Sequence, residues 1–262
     1  MSDIITGIIR RLEKLERVSR RLGARDALQV TSDPILRLTG LRGYWPMSSF
    51  DENGDAYDLS GQSRTLTHID TVRYGYDGLV PWGENFAGEG CDYLRRVDEA
   101  GLSITGGETY VDTDFQGLSL GGWFHADSVA GTQGLITKWE TAEQSYALYL
   151  DGANVVFAIS SDCAAEETVT STVTCVIGDW FFAAGRFVPD TEIGVCCNAT
   201  WVTTATATTT ICDGDAELAI SAFGTGVDCF DGRYSHCWLC AAALSDECIH
   251  AIFQQQRSLF GV

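Results

Sequence analysis

The sequence predicts an all-β protein, an antiparallel two-sheet sandwich preceded by an N-terminal α-helical coiled-coil segment. Three observations carry that expectation. From Gly43 onward, short runs rich in Val, Ile, Thr, Phe, Tyr and Trp recur between turns marked by Gly, Asp and Asn. Helical periods are scarce over the same stretch. Residues 1–26 differ in kind: seven basic against four acidic residues give this segment +3, while the rest of the 262-residue chain carries −22 of an overall −19.

The leading segment, SDIITGIIRRLEKLERVSRRLG, fits a heptad register with Ile5, Leu12 and Ser19 at a and Ile8, Leu15 and Leu22 at d. Isoleucine at both positions of the first heptad favours three or more strands. Ile4, Val18 and Ile9 widen the stripe, Glu13–Arg17 and Glu16–Arg20 are acid-before-base pairs four apart, and Gly23 stands where a helix would end. The alternatives are a helix packed on its own domain and a membrane-surface helix, and the interleaved glutamates count against the second. The expectation is a homotrimer joined through Ile5, Ile8, Leu12, Leu15 and Leu22. Residues 1–26 form the oligomerising or anchoring helix, 27–42 a connector interrupted by Pro34, and 43–262 the β domain.

Within that domain SLGGWFH reads as a strand ending at a turn-like patch. YALYL, Asp151-Gly152 and VVFAIS read as a hairpin, because Asp-Gly supplies the left-handed turn residues. DWFFAAGRF and the Ile193–Thr210 region are β-prone, and Asn198-Ala199-Thr200, formally a glycosylation sequon, reads as a hairpin turn. The closing SDECIHAIFQQQ reads as a short turn or helix.

Several stretches resemble, in collinear order, the LamG-like (laminin G, concanavalin A-like) jelly rolls. They are GYWPMSSFDENGDAYDLSGQSRTLT, FAGEGCDYLRRVDEAGLSITGGE, GLSLGGWFHAD, GLITKWETAEQSYALYLDG, DWFFAAGRF and FDGRYSHCWLCAAALSDECIHAIF. The resemblance covers Gly43 to Gln255 and implies a two-sheet antiparallel jelly-roll sandwich. It fixes no activity, since members include lectins, adhesins and structural modules. DYLRRVDEAGLSITG is also similar to LamG-like proteins of phage and environmental genomes, which implies a virion setting.

Composition excludes some functions. A net charge of −19 opposes nucleic-acid binding, and no run approaches the roughly 18 apolar residues of a membrane span. No signal peptide is visible, yet there are ten cysteines, which suits a virion or extracellular protein reaching an oxidising exterior by lysis. Gly117-Leu118-Ser119-Leu120-Gly121 matches the serine-hydrolase pattern but runs into a strand, not a helix. The Glu-x-Asp triplet of jelly-roll glycosidases is absent, and Glu140 and Glu143 sit in a turn. No enzyme is expected.

Cys237 and Cys240, three apart in a strand, face opposite sides and cannot share a metal, and the same geometry splits Cys196 from Cys197. Disulfides are the alternative to buried free thiols: Cys163 and Cys175 bracket a loop, and Cys196 or Cys197 can meet Cys212 across the threonine-rich hairpin. Calcium is the candidate cofactor, at Asp51, Asn53, Asp55 and Asp58, with Asp213-Gly214-Asp215 and Glu217 as a second acidic turn. Plain hydrophilic turns with Asp-Gly and Asn-Gly chemistry are the simpler reading of both. Trp82 and Trp201 are the candidate sugar-stacking residues. The expected function is a non-enzymatic structural or adhesive virion protein, with self, other virion proteins and cell-surface glycans as partners. A calcium-dependent carbohydrate-binding module and a glycoside hydrolase with a degenerate site are the alternatives.

Overall fold

Alternation decides which side of each strand is buried. Leu118, Leu120, Phe124 and Ala126 share one face of their strand, and Tyr146, Leu148 and Leu150 share one face of theirs; both sets enter a single apolar core. The computed structural model describes residues 33–70, 72–78, 80–85, 91–106 and 116–262. The seam positions Ile5, Ile8, Leu12, Leu15 and Leu22 lie outside the described residues. The chain divides into two compact units between Arg37 and Leu38. The described part of the first holds a single 3-10 turn, Pro34–Arg37, begun by the Ile35 N–H donating to Asp33 at 3.0 Å.

The second unit is a two-sheet antiparallel sandwich, the architecture the LamG-like resemblance implied. One sheet runs in the order β13 (Thr200–Ala205), β12 (Glu192–Cys197), β11 (Trp180–Val188), β6 (Leu118–Ala126), β15 (Gly232–Cys240), β4 (Val80–Asn85) and β3 (Arg73–Asp77). β1 (Leu41–Trp45) also pairs with β15, and it starts two residues before Gly43. A register break between Ser235 and Trp238, with His236 at φ +49°, lets β15 take β4 along its first half and β1 along its second. The other sheet runs β10 (Glu166–Thr174), β9 (Asn154–Ser160), β8 (Tyr146–Asp151), β7 (Thr132–Lys138), β14 (Leu218–Ile220), β5 (Tyr93–Arg96) and β2 (Thr67–Ile69).

The two inner faces meet tightly. A Cβ at Gly185 of β11 would lie 2.3 Å from the Phe157 ring of β9, so the missing side chain is the space the phenyl group fills. The turns are as read: Gly152 (φ +57°) follows Asp151 between β8 and β9, and Asn198 and Ala199 (φ +46° and +68°) join β12 to β13. The threonine run is shorter as a strand than expected. β13 ends at Ala205, and the hydroxyls of Thr206, at 2.6 Å, and Thr208 donate to Glu167 of β10, tying the two sheets' edges together.

The outer face of the eight-stranded sheet is covered by α1 (Asp246–Gln256), capped by the Ser245 hydroxyl accepting from the Cys248 N–H. Trp123 donates to Gln256 at 2.9 Å and stacks against Phe253 and Phe260, at 5.7 and 4.1 Å between centroids. Strands β6 and β11 are therefore buried on both faces. No helix among the described residues is long and apolar enough to cross a membrane.

Candidate functional site

The acidic turn is built as a turn. Asp51 accepts the N–H groups of Asn53 and Asp55 at 2.8 and 3.0 Å, and Asn53 donates its side-chain amide back to Asp51. Those donors hold the Asp51 carboxyl below its ordinary range, the Asp55 amide most of all. Asp55 accepts from the His68 backbone and meets its Nδ1 at 2.8 Å, while Asp58 accepts from the N–H groups of Tyr44, Ser60 and Arg64. Among the described residues, no group of three or more His, Cys, Asp and Glu is placed to hold a metal.

Trp82 on β4 and Trp201 on β13 stand five strand spacings apart, about 24 Å, so they belong to no common site. Trp82 packs over Gly75, with Arg233 5.7 Å from its ring. Trp201 is covered by the Arg186 guanidinium at 4.6 Å, itself paired with Glu192 and Asp246. Ser119 is wholly buried in β6 and accepts the Leu244 N–H, a packing role.

The cysteine pairing corrects the expectation. Cys163 bonds Cys212 and Cys91 bonds Cys229, while Cys175, Cys196 and Cys197 are free and buried. Cys163 and Cys175 lie at opposite ends of β10, whose nine residues extend about 30 Å, beyond any bridge. Cys197 faces the core, where burial pushes its thiol up to about 12. Cys237 is likewise in the core and Cys240 outside it, as strand geometry requires.

Both disulfides flank a groove of about 400 Å³ on the outer face of β7 and β8, within the size range of ligand pockets. Its floor comes from the outward phase of β8, where Tyr149 and Asp151 follow Ala147. One wall is the loop from Ser221 to Cys229, laid along β7. The Thr137 hydroxyl donates to the Ala222 carbonyl at 2.8 Å, the Gly134 N–H to that of Asp228 at 2.8 Å, and the Cys91–Cys229 bond pins its end. A Cβ on Gly134 would lie 2.4 Å from the Ala222 carbonyl, so the loop sits there only because residue 134 is glycine. The wall places Phe223 edge-on to Tyr149, at 5.3 Å between centroids.

The far end of the groove is the turn Trp139–Gln144. Ser145 donates to the Cys212 carbonyl, Asp215 N–H donates to Glu143, and Gln144 N–H donates to the Cys163 carbonyl. The Cys163–Cys212 bond fastens that end. Three aromatic rings, Trp139, Tyr149 and Phe223, thus share a groove with four carboxylates, Glu140, Asp151, Glu166 and Asp228. Burial, then the charges of Glu166 and Asp151, push the Tyr149 phenol up to about 12, so it remains a hydrogen-bond donor at neutral pH. The Gln144 Oε1 atom is buried without a hydrogen-bond partner among the described residues.

None of these groove residues was singled out as a binding residue from sequence. A signal existed: Tyr146, Leu148 and Leu150 set the inward phase of β8, which leaves Tyr149 as an aromatic on the solvent side.

No family model and no curated protein matches this sequence. Solved structures do. The binding domain of botulinum neurotoxin DC in complex with rat synaptotagmin II superposes with TM-score 0.61 at 10% identity, covering 82% of this chain and 51% of that one. The binding domain of Paraclostridial Mosquitocidal Protein 1 gives 0.63 at 10%, covering 82% and 52%, and the botulinum neurotoxin serotype G binding domain 0.62 at 10%, covering 83% and 51%. This chain therefore spans about half the length of each chain it resembles, and at such identity the likeness establishes the sandwich fold.

Proposed function

We propose that this chain is a non-enzymatic binding module that takes a saccharide into the Tyr149 groove. The observation that carries the reading is the groove itself. Aromatic rings offer apolar faces to a sugar's C–H surface, while the lining carboxylates and the Tyr149 phenol can hydrogen-bond its hydroxyls. Support comes from toxin domains of the same fold: one is a binding domain in complex with SialylT, and cell entry of botulinum neurotoxin type C is dependent upon interaction with two ganglioside molecules.

The setting we infer is an extracellular or virion surface. Two disulfides suit an oxidising environment, and the basic heptad segment gathers copies into a trimer and docks them on other virion proteins. Multiple copies would convert weak single-site contacts into avidity. A glycan array probed with the full chain and with Tyr149→Ala tests this. Hits lost by about tenfold or more in the variant, as for removal of a central aromatic contact, are expected. An array without hits, or hits indifferent to Tyr149, would overturn the reading.

A further inference from the structure

Resting on that reading, we infer that the groove selects saccharides bearing protonated amino groups and rejects sialylated or sulfated ones. Lysine, arginine and histidine are absent from the described lining, whereas Glu140, Asp151, Glu166 and Asp228 surround the three rings. These four carboxylates have neither a hydrogen bond nor an ion pair among the described residues. Of the four, Asp151, Glu166 and Asp228 are exposed and Glu140 is half-buried, whereas less exposed acids elsewhere are committed: Glu217 to Tyr93 and Arg95, Glu99 to Arg64 and Arg96, Glu192 to Arg186, Glu167 to Thr206 and Thr208.

An acidic surface in general does not distinguish this place, because the whole chain carries −19. The distinction is that unpaired charge converges on a walled, aromatic cavity. A ligand ammonium there meets up to four uncompensated negative charges and the electron-rich faces of Trp139 and Tyr149. A ligand carboxylate or sulfate meets only repulsion.

The test compares binding of the full chain, by calorimetry at pH 6 and low salt, to a glucosamine hexamer, to the same hexamer fully N-acetylated, and to a sulfated hexamer. The free-amine oligomer is expected to bind about five- to tenfold tighter than the acetylated one, the combined effect of two or three surface ion pairs, with the sulfated one weakest. The preference should vanish in molar salt and in the double variant Asp151→Asn, Glu166→Gln. Both residues are exposed and unpaired, so this variant is expected to fold, which its melting temperature checks. Equal binding of amine and acetyl forms, stronger binding of the sulfated form, or a preference that survives the double variant would overturn the selectivity and leave the saccharide reading standing. Binding of none would overturn both.

Discussion

Gly185, Asp51 and Tyr149 show how single residues divide between fold and function. Gly185 is structural, since Phe157 occupies its missing side chain's place. Gly185→Ala should cost about 1–3 kcal/mol in chemical denaturation, the usual penalty of overpacking a close-packed core; an unchanged midpoint would contradict that contact. Asp51 is also structural, because its carboxylate is spent on the N–H groups of its own turn. Millimolar calcium or a chelator should therefore leave the melting temperature unmoved, and a calcium-dependent rise would reinstate a metal site at Asp51, Asn53, Asp55 and Asp58. Tyr149 and Tyr93 are both raised to about 12, chiefly by burial, then by Glu166 and Asp151 for the first and by the Glu217 hydrogen bond and charge for the second. Because the fold favours the neutral phenol, their contribution is intact below the ordinary 10.0 and is lost as pH rises through about 12. Alkaline melts should show this loss, and Tyr149→Phe with Tyr93→Phe should blunt it.

Strands differ sharply in how legible they were. β8 and β9 flank an Asp-Gly turn, and β6 and β11 are apolar, aromatic-rich runs between turn residues, so their sequences announce them. β2 and β14 have three residues each, too few for a period. The groove was hidden for a related reason. Its wall is an irregular loop that acquires a place only through Gly134, from which Ala222 is 88 residues away in sequence, and through Cys91, 138 residues from Cys229. No local pattern reports such a pairing. The two disulfides close loops of 138 and 49 residues. Reduction of each should cost about 2–4 kcal/mol. Because both are anchored at the groove walls, a reductant should weaken saccharide binding before the sandwich melts. Loss of binding only on global unfolding would separate the disulfides from the site.

At the scale of the whole molecule the chain joins a basic segment to an acidic body, +3 against −22. The proposed trimeric setting makes a definite statement about mass. The full chain should sediment as a trimer, and a version starting at Ala27 should sediment as a monomer; an unchanged mass would remove the role of Ile5, Ile8, Leu12, Leu15 and Leu22. The sandwich turns one sheet toward α1, and among the described residues the rings and unpaired acids gather on the outer face of the other. Amide hydrogen exchange of the full chain, with and without a saturating saccharide taken from the array, tests that placement most directly. Slowed exchange confined to residues 139–145 and 221–229 is the expected result. Protection at α1 and Trp201, with the groove amides unchanged, would contradict the account.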